Sequence, residues 1–470
     1  MKSTRISLLA VLPALCALLI TLASCNKEPV GRTTVHPDFA YSGVIYELNT
    51  RQFTPEGTFR AAEEQLPALR NLGVDIIWLM PLQEIGEKGR KGTLGSYYAI
   101  RDYCSFNHEF GTREDFEHFL QTAHRLGFIV ILDWVANHTA PDSEWTKNDG
   151  WYYRDSVTGE LMVQYDWTDI AKLNYDNQDM RNAMLKAMHF WTDEIGIDGF
   201  RCDVAGEVPV DFWEWAMADL RTTHPDLFTL AEDEDKADTL TASAFDMYYG
   251  WTLHKHMNLV AQGKEPVEAL WEYFDVADET IRPEAIRMNF TSNHDENSWA
   301  GTEFERMGDA ADAFAAFTYV IPGMPLIYTG QEYALDHRLQ FFEKDSFPRR
   351  HVPQFRMYQD LNELRHDNPA LWSNELGSPL YRLDNDNPAV FTCARTIDVV
   401  DEDENGNVIE GSERDNTVLG IFNFSAQEQA VTIYAEGFEG DYTCICGMPV
   451  TVGTEDVIML HPWEWLIYHR

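Results

Sequence analysis

Ile197-Asp198-Gly199-Phe200-Arg201-Cys202-Asp203 has the composition of a buried β-strand that ends in charge. Apolar residues, a Gly and an aromatic lead to Arg201 and Asp203, two positions apart, so on an extended strand both side chains point to one face. An Arg fixed beside a carboxylate keeps that carboxylate ionised at neutral pH, which a nucleophile or a charge stabiliser requires. Taken alone, the pair fits an ordinary structural ion pair better than a site. Its meaning depends on what else in the chain converges on Asp203.

Working outward, Val44-Ile45-Tyr46-Glu47-Leu48, Val74-Asp75-Ile76-Ile77-Trp78-Leu79 and Phe128-Ile129-Val130-Ile131-Leu132 read as strands. Amphipathic helices are predicted over 60–71, closed by Gly73, and over 112–126, stopped by Gly127. Further strand candidates end near Arg201, Ala231, Met247, Phe290 and Tyr328. Eight strands with helical segments between most of them predict an α/β fold, a (β/α)8 TIM barrel. The rival, a doubly wound open sheet, lacks support because no Gly-rich phosphate loop follows an early strand. A barrel puts its chemistry just past the C-terminal ends of the strands. The acids lie there: Asp133 after strand three, Asp203 after strand four, Glu232 after strand five and Asp295 after strand seven. Glu232 follows Asp203 by about one βα unit, and Asp295 follows Glu232 by about two.

The step from Asp133 to Asp203 is too long for one unit. The excess, 139–173, carries Trp145, Trp151, Tyr152, Tyr153, Tyr165 and Trp167 and predicts a small inserted subdomain after strand three. Beyond about Trp372 the pattern changes to short strands, as in Val418-Leu419-Gly420-Ile421-Phe422-Asn423-Phe424 and Val431-Thr432-Ile433-Tyr434, with Asn405-Gly406 as a hairpin signal. A C-terminal antiparallel β-sandwich over 373–470 is expected, with the barrel divided into 41–138 and 174–372.

The N-terminus reads as a targeting segment, 1–24: Lys2 and Arg5 precede an apolar run, 6–20, that is short for a membrane span. Leu22-Ala23-Ser24-Cys25 resembles the bacterial lipobox, which makes Cys25 the lipidated first residue of an exported lipoprotein, periplasmic or at the outer cell surface. An ordinary cleaved signal peptide with an incidental Cys is the alternative. Residues 25–40, with Pro29, Gly31 and Pro37, have the composition of a tether. Membrane contact is expected only through the N-terminal lipid.

The 77 acidic against 36 basic residues give a net charge of -41, which argues against nucleic acid and anionic headgroups as partners and favours a neutral substrate. The 14 Trp, 20 Tyr and 26 Phe supply the core and, at a few positions, faces suited to sugar rings. Past Cys25, Cys104, Cys202, Cys393, Cys444 and Cys446 form no CxxC pair, so a structural zinc is not expected. They read as mostly buried thiols, with a disulfide left open.

Carboxylates from strands four, five and seven meeting over a neutral pocket suit the cleavage of a glycosidic bond. Asp203 beside Arg201 fits an ionised nucleophile. Glu232, after the apolar Leu230-Ala231, fits a general acid, and Asp295, preceded by Asn293-His294, fits a stabiliser of the oxocarbenium-like transition state.

Asp133-Trp-Val-Ala-Asn137-His138, Gly199-Phe-Arg201-Cys-Asp203, Glu232 and Asn293-His294-Asp295, in this order, resemble the four signature regions of the α-amylase family, glycoside hydrolase family 13. Gly73-Val-Asp-Ile-Ile-Trp-Leu-Met-Pro81 and Gly323-Met-Pro-Leu-Ile-Tyr-Thr-Gly330 resemble its second and eighth barrel strands. The resemblance implies Asp203 as nucleophile, Glu232 as acid/base and Asp295 as transition-state stabiliser. It also implies that Tyr98, His138, Arg201 and His294 serve the sugar at the point of cleavage, Tyr98 by stacking. No cofactor is required for that chemistry. Asn137 matches a calcium ligand of the family, with Asp166 and Asp169 as possible partners, so a structural calcium is weighed. The chain departs from many members at Gly206-Glu207, where they carry Lys-His.

The expected activity is therefore retaining hydrolysis of α-1,4-glucosidic bonds in starch, maltodextrins or related α-glucans. A 4-α-glucanotransferase or glucosyl isomerase of the same fold is the alternative, and a non-catalytic glucan-binding lipoprotein the more distant one.

Overall fold

The computed structural model describes residues 35–400, 409, 412 and 414–470. The predicted signal segment, the lipidation site Cys25, the tether up to residue 34 and the hairpin signal Asn405-Gly406 lie outside the described residues.

Eight parallel strands close a barrel: Ile45–Leu48, Ile76–Leu79, Ile129–Trp134, Gly199–Cys202, Phe228–Ala231, Met247–Tyr249, Ile286–Asn289 and Met324–Tyr328, taken here as strands one to eight. Each pairs with its sequence neighbours, and strand one closes the ring on strand eight. Alternation along each strand turns every second side chain inward. The lower inward positions, among them Ile45, Ile76, Ile131, Phe228, Met247, Ile286 and Met324, form one buried apolar cluster. Higher up, the same alternation brings in Glu47 two residues after Ile45, Asp133 after Ile131, Arg201 after Gly199 and Glu232 after Leu230. The barrel interior thus changes from apolar to charged as it nears its C-terminal mouth. The register sets Asp133 directly beside Arg201 across strands three and four.

Gly199 is required by close approach. A Cβ there would lie 1.9 Å from the Phe228 carbonyl oxygen on strand five, so only a residue without a side chain lets the two strands sit side by side.

Two local expectations are corrected. The helix predicted over 60–71 is split into Phe59–Glu63 and Leu66–Leu72, because Pro67 has no N–H to continue the hydrogen-bond ladder. Gly73 does close the second piece, in the left-handed conformation at φ 97°. The predicted tether also ends earlier than residue 40: His36 is buried, its ring nitrogens 2.9 Å from Asp246 Oδ1 and 2.6 Å from the Glu284 carbonyl oxygen, and Ala40 packs in the barrel cluster. The helix predicted over 112–126 is Arg113–Arg125, started by a capping box in which Thr112 and Asp115 satisfy each other's backbone N–H groups.

Between strands three and four the insertion leaves and returns through a short antiparallel ladder, His138–Thr139 against Ala171–Lys172. Past the barrel, antiparallel strands form two facing sheets. One is built around Val390–Val399 and Arg414–Asn423, which pair along their whole length, and the other around Gln429–Tyr434 and Glu455–Leu460. Leu383, Leu419, Ile421, Val431, Ile433 and Leu460 fill the space between them. The sandwich is fastened to the barrel by stacked rings, Trp271 on Phe391 and Phe314 on Phe424, each with centroids 4.3 Å apart. Cys202, Cys393 and Cys444 are buried, whereas Cys104 and Cys446 are exposed, and none of these five is in a disulfide. No helix among the described residues is long and apolar enough to cross a membrane.

Candidate active site

One cavity of about 540 Å³ opens at the C-terminal mouth of the barrel. Tyr98, His138, Asp203, Glu232, His294 and Asp295 all line it, together with Asp166, Trp167 and Asp169 of the insertion, so these residues singled out in the sequence are brought to one place. They arrive from different elements. Asp203 and Glu232 stand immediately past strands four and five, Asp295 and His294 lie in the turn after strand seven, Tyr98 belongs to the excursion after strand two, and His138 opens the insertion.

Arg201 is the exception. Expected among the groups that meet substrate, it has no exposed surface and lies beneath the cavity floor. Its Nη1 donates to Asp133 Oδ1 at 2.9 Å and Asp203 Oδ1 at 3.1 Å, its Nε donates to the Tyr249 hydroxyl at 3.0 Å, and its Nη2 forms an ion pair with Glu232 Oε2 at 2.9 Å. The rings of Trp78 and Tyr249 flank its guanidinium at 4.9 and 5.3 Å. Strand four turns Arg201 into the barrel axis, where carboxylates and aromatic rings surround its guanidinium. It is a positioning residue for three carboxylates, not a ligand of the sugar.

A second chain of contacts runs around the floor. Asp133 Oδ2 accepts from Trp78 Nε1 at 3.1 Å and from the Tyr98 hydroxyl at 2.9 Å, and that hydroxyl lies 2.8 Å from His294 Nε2. His294 Nδ1 is 2.6 Å from Glu47 Oε1, and its Nε2 is 3.5 Å from Asp295 Oδ2. Burial works against a charged His294, but the carboxylates of Asp295 and Glu47 outweigh it and raise its pKa to about 9. His138 has no such partner, and burial lowers it to about 3, so its imidazole is neutral.

Among the described residues, Glu47, Asp133, Asp203, Glu232 and Asp295 thus share contacts with two basic groups, Arg201 and His294. Burial, then Glu232, pushes Asp203 well above the ordinary carboxylate range despite Arg201. Burial raises Glu232 as well, opposed by Arg201 and reinforced by Asp295. The sequence-based expectation of an Asp203 held ionised by its own Arg is corrected here, because that one guanidinium is divided among three acids. Glu232 Oε2 also accepts the Val204 N–H at 2.8 Å, which favours its ionised form and opposes the effect of burial.

Functional positions that carried no assigned role in the sequence are Glu47, Tyr249 and Trp78 on the floor, with Asp133 known only as part of a motif. Glu47 did leave a signal, a lone acid inside an otherwise apolar strand.

Asn137 does not join this cavity. Its Nδ2 lies 2.7 Å from Gln164 Oε1 and 3.1 Å from His138 Nδ1, and it faces a separate hollow with Lys172 and Glu207. Lys172 Nζ bonds Glu207 Oε2 at 3.3 Å, and Glu207 Oε1 accepts from the Tyr165 hydroxyl at 2.9 Å. Asp169 is occupied by Lys91 at 3.1 Å. Calcium takes six to eight oxygens rich in carboxylate, and no cluster of three or more metal-binding side chains occurs among the described residues. The donors around Asn137 do not fit calcium: they are amides, one carboxylate and an ammonium group.

The family described as Alpha amylase, catalytic domain, matches residues 38–152 and 146–376. The chain is 32% identical over 353 residues to Alpha-amylase MalA of Haloarcula japonica, a match covering 71% of this chain and 50% of that protein. The chain therefore spans about half the length of that curated relative. Among solved structures, an alpha-amylase from Lactobacillus plantarum superposes with a TM-score of 0.79 at 27% identity, covering 91% of this chain and 99% of that one. A noncanonic maltogenic alpha-amylase, AmyB from Thermotoga neapolitana, does so with a TM-score of 0.79, 27% identity, and coverage of 91% and 98%.

Proposed function

The chain belongs to the α-amylase family, and on that premise we propose that it is a retaining glycoside hydrolase cleaving α-1,4-glucosidic bonds of starch, maltodextrins or related α-glucans. The observation that carries the proposal is the meeting of Asp203, Glu232 and Asp295 at one cavity above a shared Arg201. Asp203 attacks the anomeric carbon as Glu232 gives its proton to the departing glycosidic oxygen. Glu232 then takes a proton from water, which releases the sugar from Asp203 with its configuration kept. Asp295, with the protonated His294 beside it, holds ring hydroxyls and stabilises the positive charge that builds on the sugar. Neutral His138 bonds hydroxyls from the insertion side, and Tyr98 lies under the ring. A buried, acid-rich mouth lined by rings favours a neutral polyol over an anion.

The insertion is held without calcium in this reading, with the Lys172 ammonium bridging it to Glu207 after strand four. The chain is exported and anchored by lipid at Cys25, and the neutral glucan is its partner.

The test is the Asp203→Asn enzyme with starch and maltotriose. A loss of at least about 10³-fold in kcat is expected, and NMR of fresh products of the native enzyme should give the α-anomer first. Full activity of the variant would overturn the nucleophile assignment. Oligosaccharides longer than maltotriose among its products would favour the transferase over the hydrolase.

A further inference from the structure

Trp299 is 56% exposed, a large ring left open at the rim of the cavity it lines. It sits on the short helical turn Glu296–Ala300, directly past Asp295. That turn is fixed: Asn297 accepts the Leu339 N–H at 2.8 Å and donates to the His337 carbonyl at 3.1 Å, and Ser298 donates to the Leu339 carbonyl at 3.2 Å. Phe341 and Phe342, from the segment after strand eight, support the indole with centroids 5.3 and 5.7 Å away. Phe341 in turn lies nearly parallel to Tyr98, 16° apart at 6.2 Å, and Tyr98 lies nearly parallel to His294, 21° apart at 5.4 Å. A continuous aromatic run therefore leads from the floor of the site to a rigid, solvent-facing indole.

The direction of this run follows from the ring of strands. Glu232 protonates the departing oxygen, so the leaving sugar lies toward strands four and five, next to Val204. Trp299 and Phe341 come from the ends of strands seven and eight, and strand eight is diametrically opposite strand four in the closed ring. Trp167, which also lines the cavity, comes from the insertion after strand three, and its neighbour Tyr165 is tied to Glu207 past strand four.

We propose that Trp299 is the stacking platform for the glucose unit on the non-reducing side of the cleaved bond, and so decides how many units project beyond the reacting ring. The proposal rests on the hydrolase reading above. An indole braced by two Phe rings and still more than half exposed offers apolar surface to a pyranose, at little cost in side-chain entropy. The cavity extends past the three acids to this ring, so a chain with a unit there gains a contact that a chain ending at the reacting ring lacks.

The experiment uses maltotetraose labelled at its reducing end and compares the native enzyme with Trp299→Ala and Trp299→Phe. The quantity read is the ratio of cleavage at the second bond from the non-reducing end to cleavage at the first. Because the ratio is taken within one enzyme, loss of folded protein cancels from it. Trp299→Ala should lower the ratio about tenfold, the size of one stacked ring contact, and Trp299→Phe should restore most of it. An unchanged ratio in an active Trp299→Ala enzyme would overturn the platform and leave the hydrolase reading standing. No cleavage by the native enzyme would sink both.

Discussion

Replacing Arg201 by Met keeps a long side chain in the barrel and removes its charge. Three carboxylates would lose a partner at once: Asp133 and Glu232, each 2.9 Å from the guanidinium, and Asp203 at 3.1 Å. Breaking a buried charge pair from one side costs about 3–5 kcal/mol. For a chain of this length the unfolding entropy is about 1.0 kcal/mol/K, so the melting temperature should fall by about 3–5 °C. The sign of the pH dependence distinguishes charge from packing. Carboxylates left without Arg201 have folded pKa values raised above their unfolded ones, so the folded state binds the extra protons and stability falls as pH rises through that window. The gap between native and variant should therefore be widest near about pH 8 and narrow toward about pH 5. Differential scanning fluorimetry across that range reads it, and kcat at neutral pH should drop about 10²–10³-fold. A gap that stays constant with pH would mean that Arg201 matters for its shape and not for its charge.

The raised pKa of His294 predicts an alkaline decline in the native enzyme itself. Its folded value of about 9 against 6.5 in the unfolded chain corresponds to about 3 kcal/mol that is present below pH 6.5 and lost as pH rises through about 9; melting curves of His294→Gln should lack that alkaline decline, and a decline shared with the native enzyme would refute it. Dialysis against EDTA should leave melting temperature and activity unchanged, whereas Lys172→Met should lower stability by no more than about 1 kcal/mol, since the pair with Glu207 is partly exposed; loss of activity in EDTA would restore the case for calcium. Gly199→Ala should destabilise by about 1–3 kcal/mol through overpacking, because its Cβ would meet the Phe228 backbone at 1.9 Å; a variant that melts with the native protein would show that strands four and five can move apart.

The barrel was legible because it rests on alternation. Ile45, Ile76, Ile131 and Phe228 recur at inward positions of short apolar runs, and that signal needs no knowledge of partners. The helix over 60–71 was misread because its periodicity continues through Pro67, and only the missing N–H breaks it. The tether was overextended because the anchoring of His36 depends on Asp246 and Glu284, more than two hundred residues away. Asp203 and Glu232 were legible for a related reason: each stands at the end of a strand, where the fold alone brings it to the mouth, whereas Tyr98 and His138 lie on excursions and were marked only by the family resemblance.

What the sequence could not carry was the division of charge. Read locally, Arg201 belongs to Asp203, its neighbour on the strand, and Glu232 follows an apolar run that should keep it protonated. In space the same guanidinium reaches Asp133 and Glu232 as closely as Asp203, and burial raises both members of the reacting pair. The shared guanidinium therefore does not by itself commit the proton of a general acid to one of the two carboxyl groups. In the proposed mechanism the substrate makes that commitment. A sugar whose anomeric carbon gathers positive charge beside Asp203 favours the ionised form there, and the glycosidic oxygen beside Glu232 receives the proton. The pair splits its roles only when the bond to be broken lies between them, which is the sense in which such a site is complementary to the transition state and not to the free enzyme's own charges.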